Sequence, residues 1–316
     1  MNILITGGSG FVGSRLTDIL RQEQDHVYIL SRSDRNSDHP FVHYIQYDPD
    51  HPEDDSWMED MPLKVDAIYN LAGASLQEKW SDEHKEEIFN SRVTVTRMLR
   101  RWVEQADITP KVLVNASAIG YYPVSKSVRY TEADQFAPHD FLSRVIVAWE
   151  GEAEKFENLG VRVVCARFGL ILDDKEGALP KMSIPYRLGA GGPLGSGEQW
   201  YSWIHIDDLL NALLYVAVHS EISGPVNLTA PMPLRQKQFS KYLSSALGRP
   251  DFIKTPAFVI EKLLGEQSLL LLKGQYVLPE VLMENDFKFL FPTLEIALED
   301  IFDLEDKKKT VGCSEH

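Results

Sequence analysis

Residues 1–13 read MNILITGGSGFVG. The short apolar run 2–6 predicts a strand. Gly7, Gly8, Gly10 and Gly13 follow it, and an apolar helical pattern begins with Val12, Leu16, Ile19 and Leu20. The order is therefore strand, tight glycine turn, helix. Gly7 can take the backbone angles of the turn, Gly10 lets the main chain approach a pyrophosphate, and Gly13 lets the helix pack close to the strand. The first-turn amides, around Phe11 and Val12, and the positive end of the helix dipole then face the phosphates. Gly7, Gly10, Phe11 and Val12 are the expected cofactor contacts of this turn.

Working outward, runs 26–30, 42–47, 67–71, 112–117 and 161–167 also read as strands. Helical patterns separate them, the longest at about 81–104 and 141–158, the second ended by Gly160. Strands alternating with helices imply crossover units and a parallel sheet. Several strands are apolar nearly throughout, as expected where both faces are covered. Beyond Arg167 the pattern is less regular: a glycine-rich loop at 188–197, a strand at 202–206, a helix from Asp207 and a short strand at 225–228. Proline-rich turns and helical segments fill 232–300. The expected division is a dinucleotide-binding domain at 1–170, to which 200–228 return, and a substrate domain at 171–199 and 229–302. Residues 303–316 are expected to be a flexible tail.

The net charge of −15 argues against nucleic acid or an anionic membrane as the main partner, because no broad positive field exists. The 44% hydrophobic content is ample for a core. The two cysteines, Cys165 and Cys313, support neither a disulfide framework nor a metal cluster. The apolar stretch 258–272 is interrupted by Glu261, Lys262, Gly265, Glu266 and Gln267, so no membrane span is expected. With a fold-forming strand at the N-terminus and no signal peptide expected, the chain reads as a soluble cytoplasmic protein. Monomer and homodimer both stay open.

In folds that take NAD, an acidic residue ends the second strand and binds the ribose hydroxyls; a basic residue stands nearby where a 2′-phosphate must fit. Here that strand ends Leu30, Ser31, Arg32, Ser33, with no carboxylate before Asp34. Arg32 offers a planar fork to a phosphate and Ser31 a hydroxyl, so NADP is the expected cofactor. Asp48 either receives the adenine amino group or is a turn residue before Pro49.

Several motifs together resemble the extended short-chain dehydrogenase/reductase superfamily. They are the glycine turn, the segment Asn70, Leu71, Ala72, Gly73, the strand-ending Ser117, the run Arg167, Phe168, Gly169, and Trp203 to Asp208 reading WIHIDD. Ser91 and Arg92, Trp149 and Glu150, the SAIGYY run 117–122 and the GGPLGSG run 191–197 narrow the resemblance to its epimerase family proteins, also called nucleoside-diphosphate-sugar epimerase-like. The resemblance runs from Met1 to about Phe302. It implies an α/β fold: a Rossmann doubly wound parallel sheet with a smaller C-terminal α+β substrate domain. It also implies an NADP-type cofactor, held in part by Leu71, Ala72, Gly73 and Arg167, and a small-molecule substrate.

In that superfamily a serine, a tyrosine and a lysine four residues after the tyrosine share the proton chemistry. The need is a donor with pKa near neutrality within reach of the reacting oxygen. Ser117 fits the serine, at the C-terminal end of a buried strand. The string from Tyr122 to Lys126 has the right spacing but lies only five residues after Ser117, and Pro123 would have to begin its helix. Tyr121 and Tyr122 match instead the pocket-lining loop after the serine, and either is a candidate acid/base group. On the helix that should carry the pair the sequence reads Asp140, Phe141, Leu142, Ser143, Arg144. Arg144 either holds a ribose or phosphate or is a solvated helix residue. His205 is a possible base, with a structural role favoured. Glu78 and Lys79 line the substrate side or form a solvated loop. Two readings follow: an NADP-dependent oxidoreductase or epimerase-like enzyme acting on a small or nucleotide-linked polar substrate, or a catalytically degenerate NADP(H)-binding sensor or interaction protein.

Overall fold

The computed structural model describes residues 1–303; the remainder of the expected tail, with Cys313, lies outside the described residues. The described chain runs β1 (Asn2–Thr6), α1 (Phe11–Gln22), β2 (His26–Ser31), β3 (Val42–Gln46), β4 (Ala67–Asn70), α2 (Asp82–Gln105) and β5 (Val112–Ala118). It continues through β6 (Arg129–Tyr130), α3 (Phe141–Glu154), β7 (Arg162–Phe168), β8 (Leu170–Leu172), α4 (Leu179–Arg187), β9 (Trp200–Tyr201) and β10 (Trp203–His205). Then come α5 (Ile206–Val218), β11 (Gly224–Leu228), β12 (Leu234–Arg235), α6 (Gln236–Ala246) and α7 (Ala257–Leu264). Last are α8 (Leu269–Leu272), β13 (Tyr276–Val277), α9 (Glu280–Glu284) and α10 (Leu294–Ile301).

The chain forms two compact units. The first comprises Met1–Tyr121, Phe136–Arg167 and Leu210–Val226. It holds a seven-stranded parallel sheet in the order β11-β7-β5-β4-β1-β2-β3. The chain walks outward from β1 to β3, then returns to lay β4 on the other side of β1. That reversal is the switch point at which open α/β sheets hold ligands, and the fold class is the one the sequence implies. One face is packed by Leu4, Ile68, Leu113 and Val163 against Val95, Leu99, Trp102 and Phe156. The helices carry the matching stripes: α2 buries Val95, Met98, Leu99 and Trp102 at helical spacing.

Polar groups at the sheet's C-terminal edge are joined below the surface. The Thr6 hydroxyl donates to Asn70 Oδ1 at 2.6 Å. Asn70 Nδ2 donates to Thr96 Oγ1 at 2.7 Å and to Asn115 Oδ1 at 2.6 Å. Thr96 Oγ1 also accepts from Trp149 Nε1 at 3.0 Å and donates to the Arg92 carbonyl. At the far side of the sheet, Arg162 closes the end of α5 by donating to the carbonyls of Val216, Ala217 and Ile222 at 2.6–3.0 Å. These carbonyls include ones a helix end leaves without an intrahelical donor.

Among the described residues the second unit comprises Tyr122–Gln135, Phe168–Leu209 and residues 227–303. Its strands form short pairs: β8 with β10, parallel; β9 with β12, antiparallel; β6 with β13, parallel. Its core contains Leu172, Tyr186, Trp203, Phe239, Leu243 and Leu298. Among the described residues no helix is long and apolar enough to cross a membrane.

The network predicts its own weak point. Thr96 is fully buried. Thr96→Val keeps the shape but strands the Asn70 and Trp149 donors, costing about 2–5 kcal/mol in urea unfolding, whereas Thr96→Ser keeps the hydroxyl and costs about 1 kcal/mol.

Candidate functional site

The first unit's site is built from its glycine turn. Gly7 has φ +68°, and a Cβ there would lie 2.7 Å from the Leu71 carbonyl oxygen. The turn thus packs directly on the segment after β4. A Cβ on Gly13 would overlap the Gly7 carbonyl, so only glycine lets α1 approach this closely. The Gly10 amide donates to the Gly7 carbonyl at 2.9 Å. Gly10 is the N-cap of α1, with no side-chain cap and no acidic residue in the first turn. The Phe11 and Val12 positions therefore open a helix whose positive end carries no capping side chain. This clearance and polarity fit a dinucleotide's phosphates. Leu71 and Ala72 are tied to Thr6, through its carbonyl at 3.2 Å and its hydroxyl at 3.1 Å. Gly73 sits against the Arg92 guanidinium, which a Cβ would meet at 2.8 Å. Arg92 donates to the Ala74 and Ile88 carbonyls and lies over the Trp149 ring. Burial pulls its pKa down to about 10, so it stays charged at neutral pH.

Arg32 is largely exposed just past β2, with Glu87 Oε1 3.7 Å from its guanidinium. The Ser31 hydroxyl is buried and used locally: it donates to the Ser33 carbonyl and accepts the Ser33 amide. It shapes the turn that presents Arg32. Asp48 is exposed and accepts the Asp50 amide at 2.9 Å, the geometry of a turn residue.

At the end of β5 the Ser117 hydroxyl, 3% exposed, donates to Glu150 Oε1 at 2.5 Å. Arg167, equally buried, grips the same carboxylate with two bonds: Nε to Oε1 at 2.8 Å and Nη2 to Oε2 at 2.7 Å. Its guanidinium also lies 3.5 Å from the centre of the Tyr121 ring. The structure thus joins three residues named from sequence, Ser117, Arg167 and Tyr121, around Glu150. The Tyr121 hydroxyl accepts the Phe136 amide at 3.1 Å. Tyr122 belongs to the second unit. It is fully buried, stacks on Tyr130 and donates to Asn227 Oδ1 at 2.9 Å.

Where the superfamily's tyrosine and lysine would stand, Asp140 and Ser143 form the capping box of α3. Asp140 Oδ1 accepts the Ser143 amide at 2.7 Å, and the Ser143 hydroxyl accepts the Asp140 amide at 2.8 Å. Arg144 is exposed on the next position. Glu150 stood in the sequence as part of the Trp149–Glu150 motif, and its place in the helix carried a further signal. It lies four residues after Ile146 on the apolar face of α3, beside Trp149, and a carboxylate at such a position needs a buried partner.

Within the second unit, His205 Nδ1 accepts the Asp207 amide at 3.1 Å. The neutral ring then carries its proton on Nε2, which faces Asp300 Oδ2 at 3.3 Å. Burial lowers the His205 pKa, and its ring lies 3.8 Å from that of Phe291. In the glycine-rich loop the Leu194 amide donates to Gln236 Oε1 and the Gly195 amide to the Thr255 carbonyl.

A Rossmann sheet with this glycine turn and this strand-end serine defines a class, and comparison gives the family. The chain belongs to the NAD dependent epimerase/dehydratase family, whose model matches residues 3–228; the domain of unknown function DUF1731 matches 255–301. It is 44% identical over 298 residues to an epimerase family protein of Staphylococcus epidermidis, covering 94% of this chain and 98% of the relative. A Staphylococcus aureus epimerase family protein is 42% identical over the same shares. Among solved structures, the human epimerase family protein SDR39U1 (isoform 2) with NADPH superposes at TM-score 0.86 and 31% identity, covering 96% of this chain and 99% of that one. The Bacillus cereus UDP-N-acetylglucosamine 4-epimerase has the same fold, at TM-score 0.75 and 19% identity over 96% and 99% of the two chains.

The Glu150–Arg167 pair is open to a direct test. Glu150→Met alone strands a buried guanidinium and costs about 3–5 kcal/mol in urea unfolding; adding Arg167→Met removes the stranded charge and recovers most of that loss.

Proposed function

We propose that the protein is an NADP-dependent oxidoreductase or epimerase-like enzyme acting on a small or nucleotide-linked polar substrate. The observation that carries this reading is the glycine turn packed on Leu71, leading into the uncapped α1, with Arg32 at the end of the neighbouring strand. The relative solved with NADPH supports the cofactor choice. In this reading the α1 amides and Gly10 take the pyrophosphate, Arg32 the 2′-phosphate, and Leu71 to Gly73 flank the nicotinamide half.

When bound, the cofactor supplies a hydride donor or acceptor at the nicotinamide C4. The chain supplies orientation and proton handling. With its proton given to Glu150, Ser117 Oγ keeps a lone pair with which to accept a substrate O–H. Glu150, held by two bonds from Arg167, keeps the serine in that orientation. Of the two tyrosines we assign the acid/base role to Tyr121, because the Tyr122 hydroxyl is committed in a fully buried site.

A second reading is a dinucleotide-binding sensor or interaction protein without turnover. The Asp140–Ser143 capping box, standing where the proton-transfer pair would be, favours it.

Two measurements test these assignments. Arg32→Ala should weaken NADPH binding roughly 10–100-fold in a fluorescence titration and leave NADH nearly unchanged. Wild type binding NADH as tightly as NADPH, or an unaffected variant, overturns the 2′-phosphate assignment. A screen of carbonyl, alcohol and nucleotide-sugar substrates, read by NADPH consumption, should give turnover that Ser117→Ala abolishes. Tight NADPH binding with no turnover on any class selects the sensor.

A further inference from the structure

Arg32 is not alone at the edge of its strand. Glu87, on α2, places Oε1 3.7 Å from Arg32 Nη1. Its other oxygen, Oε2, lies 2.9 Å from His84 Nδ1. The opposite nitrogen of that ring, Nε2, lies 2.8 Å from the Ser75 carbonyl oxygen. Both ring nitrogens thus face pure acceptors, and only the doubly protonated imidazolium can donate to both. The ring is 8% exposed, and Ser81 accepts the His84 amide, fixing the start of the helix that carries the chain of contacts.

The charged groups facing His84 are Glu87 from its own helix and Glu78 from the preceding loop. The Ser75 carbonyl acts first and these two carboxylates after it to raise the His84 pKa, against burial, which lowers it. Glu87 is therefore shared between two cations, one that titrates and one that does not.

We propose that Glu87, held by His84, is a specificity-determining residue that competes with an incoming 2′-phosphate for the Arg32 guanidinium. The inference rests on the reading that Arg32 takes that phosphate. While His84 is protonated it balances the Glu87 charge and keeps the carboxylate turned to α2, and Arg32 meets the phosphate with little opposition. Once His84 loses its proton, Glu87 stands as an uncompensated anion beside Arg32. It then opposes a phosphate dianion, but not the uncharged ribose hydroxyl of NADH. The preference for the phosphorylated dinucleotide is full below the His84 pKa and declines as pH rises through it. Glu87 and Arg32 are both about half exposed or more, so the effect is a few-fold.

The experiment is a pair of fluorescence titrations, NADPH and NADH, on the full chain as wild type, Glu87→Gln and His84→Gln, from about pH 6 to about pH 8.5. At the high-pH end Glu87→Gln should tighten NADPH roughly two- to fivefold, with a smaller gain at the low-pH end, and leave NADH unchanged throughout. His84→Gln should weaken NADPH by a similar factor at low pH and converge on wild type at high pH. The phosphate's own ionisation, near pH 6, cancels in that comparison. NADH affinity reports that the cradle is intact in each variant; should His84→Gln lose both cofactors, Glu87→Gln alone decides. A Glu87→Gln variant with an unchanged NADPH-to-NADH ratio at the high-pH end, or a wild-type-to-His84→Gln ratio that is flat with pH, overturns the proposal. If Arg32→Ala still weakens NADPH in that case, the Arg32 assignment stands and the competition alone falls. If Arg32→Ala has no effect, the underlying reading falls with it.

Discussion

The side chain of Asn70 is the joint on which the first unit's working edge depends. It stands at the end of β4, fully enclosed, and its amide reaches Thr6 on β1, Asn115 on β5 and Thr96 on α2. Three neighbouring strands are thereby set to a common height where they end. A buried amide that donates both its protons and accepts on its oxygen is worth keeping because each bond lost leaves a partner stranded as well. The glycine turn, the Leu71–Ala72 backbone and the Ser117 loop are all extensions of strands fixed in this way. The geometry at the switch point follows from a polar network below it as much as from the hydrophobic core.

Much of this was legible in the sequence, because backbone requirements write themselves in residue types. Gly7 and Gly13 announce a turn and a close approach that other residues cannot make, and the structure leaves no room for a Cβ at either. The alternation of apolar runs gave the sheet and its helices, and the resemblance gave the family. Side-chain partnerships were less legible. Nothing local says that Glu150 lies under Ser117, since 33 residues separate them and the contact needs both β5 and α3 in place. The His84–Glu87 pair has helical spacing, but its reach to Arg32 spans a crossover. Asp140 and Ser143 do carry a readable signal, a polar pair three apart ahead of an apolar stretch. It describes a helix start and is silent on chemistry.

In the proposed function, the site combines an open phosphate-binding half with a proton-handling half of unusual composition. Ser117 does not stand beside a tyrosine and lysine on the following helix; it is latched to a carboxylate that an arginine neutralises. Such a latch favours precise placement, since two bonds from the guanidinium and one from the hydroxyl fix the carboxylate's orientation. Tyr121, its ring under the same arginine, shares that electropositive neighbour.

The discontinuity of the first unit bears on how the chain is made. Its sheet is drawn from three separate stretches, and the last, Leu210–Val226, follows the long excursion Phe168–Leu209. During synthesis β7 must wait, with one edge unpaired, until β11 has left the ribosome. Arg162 likewise waits for the carbonyls it will close. An unpaired inner strand is an invitation to wrong partners. The interval between residues 168 and 224 is thus the stretch of translation in which this edge stands open, and a fragment cut near residue 170 carries it permanently.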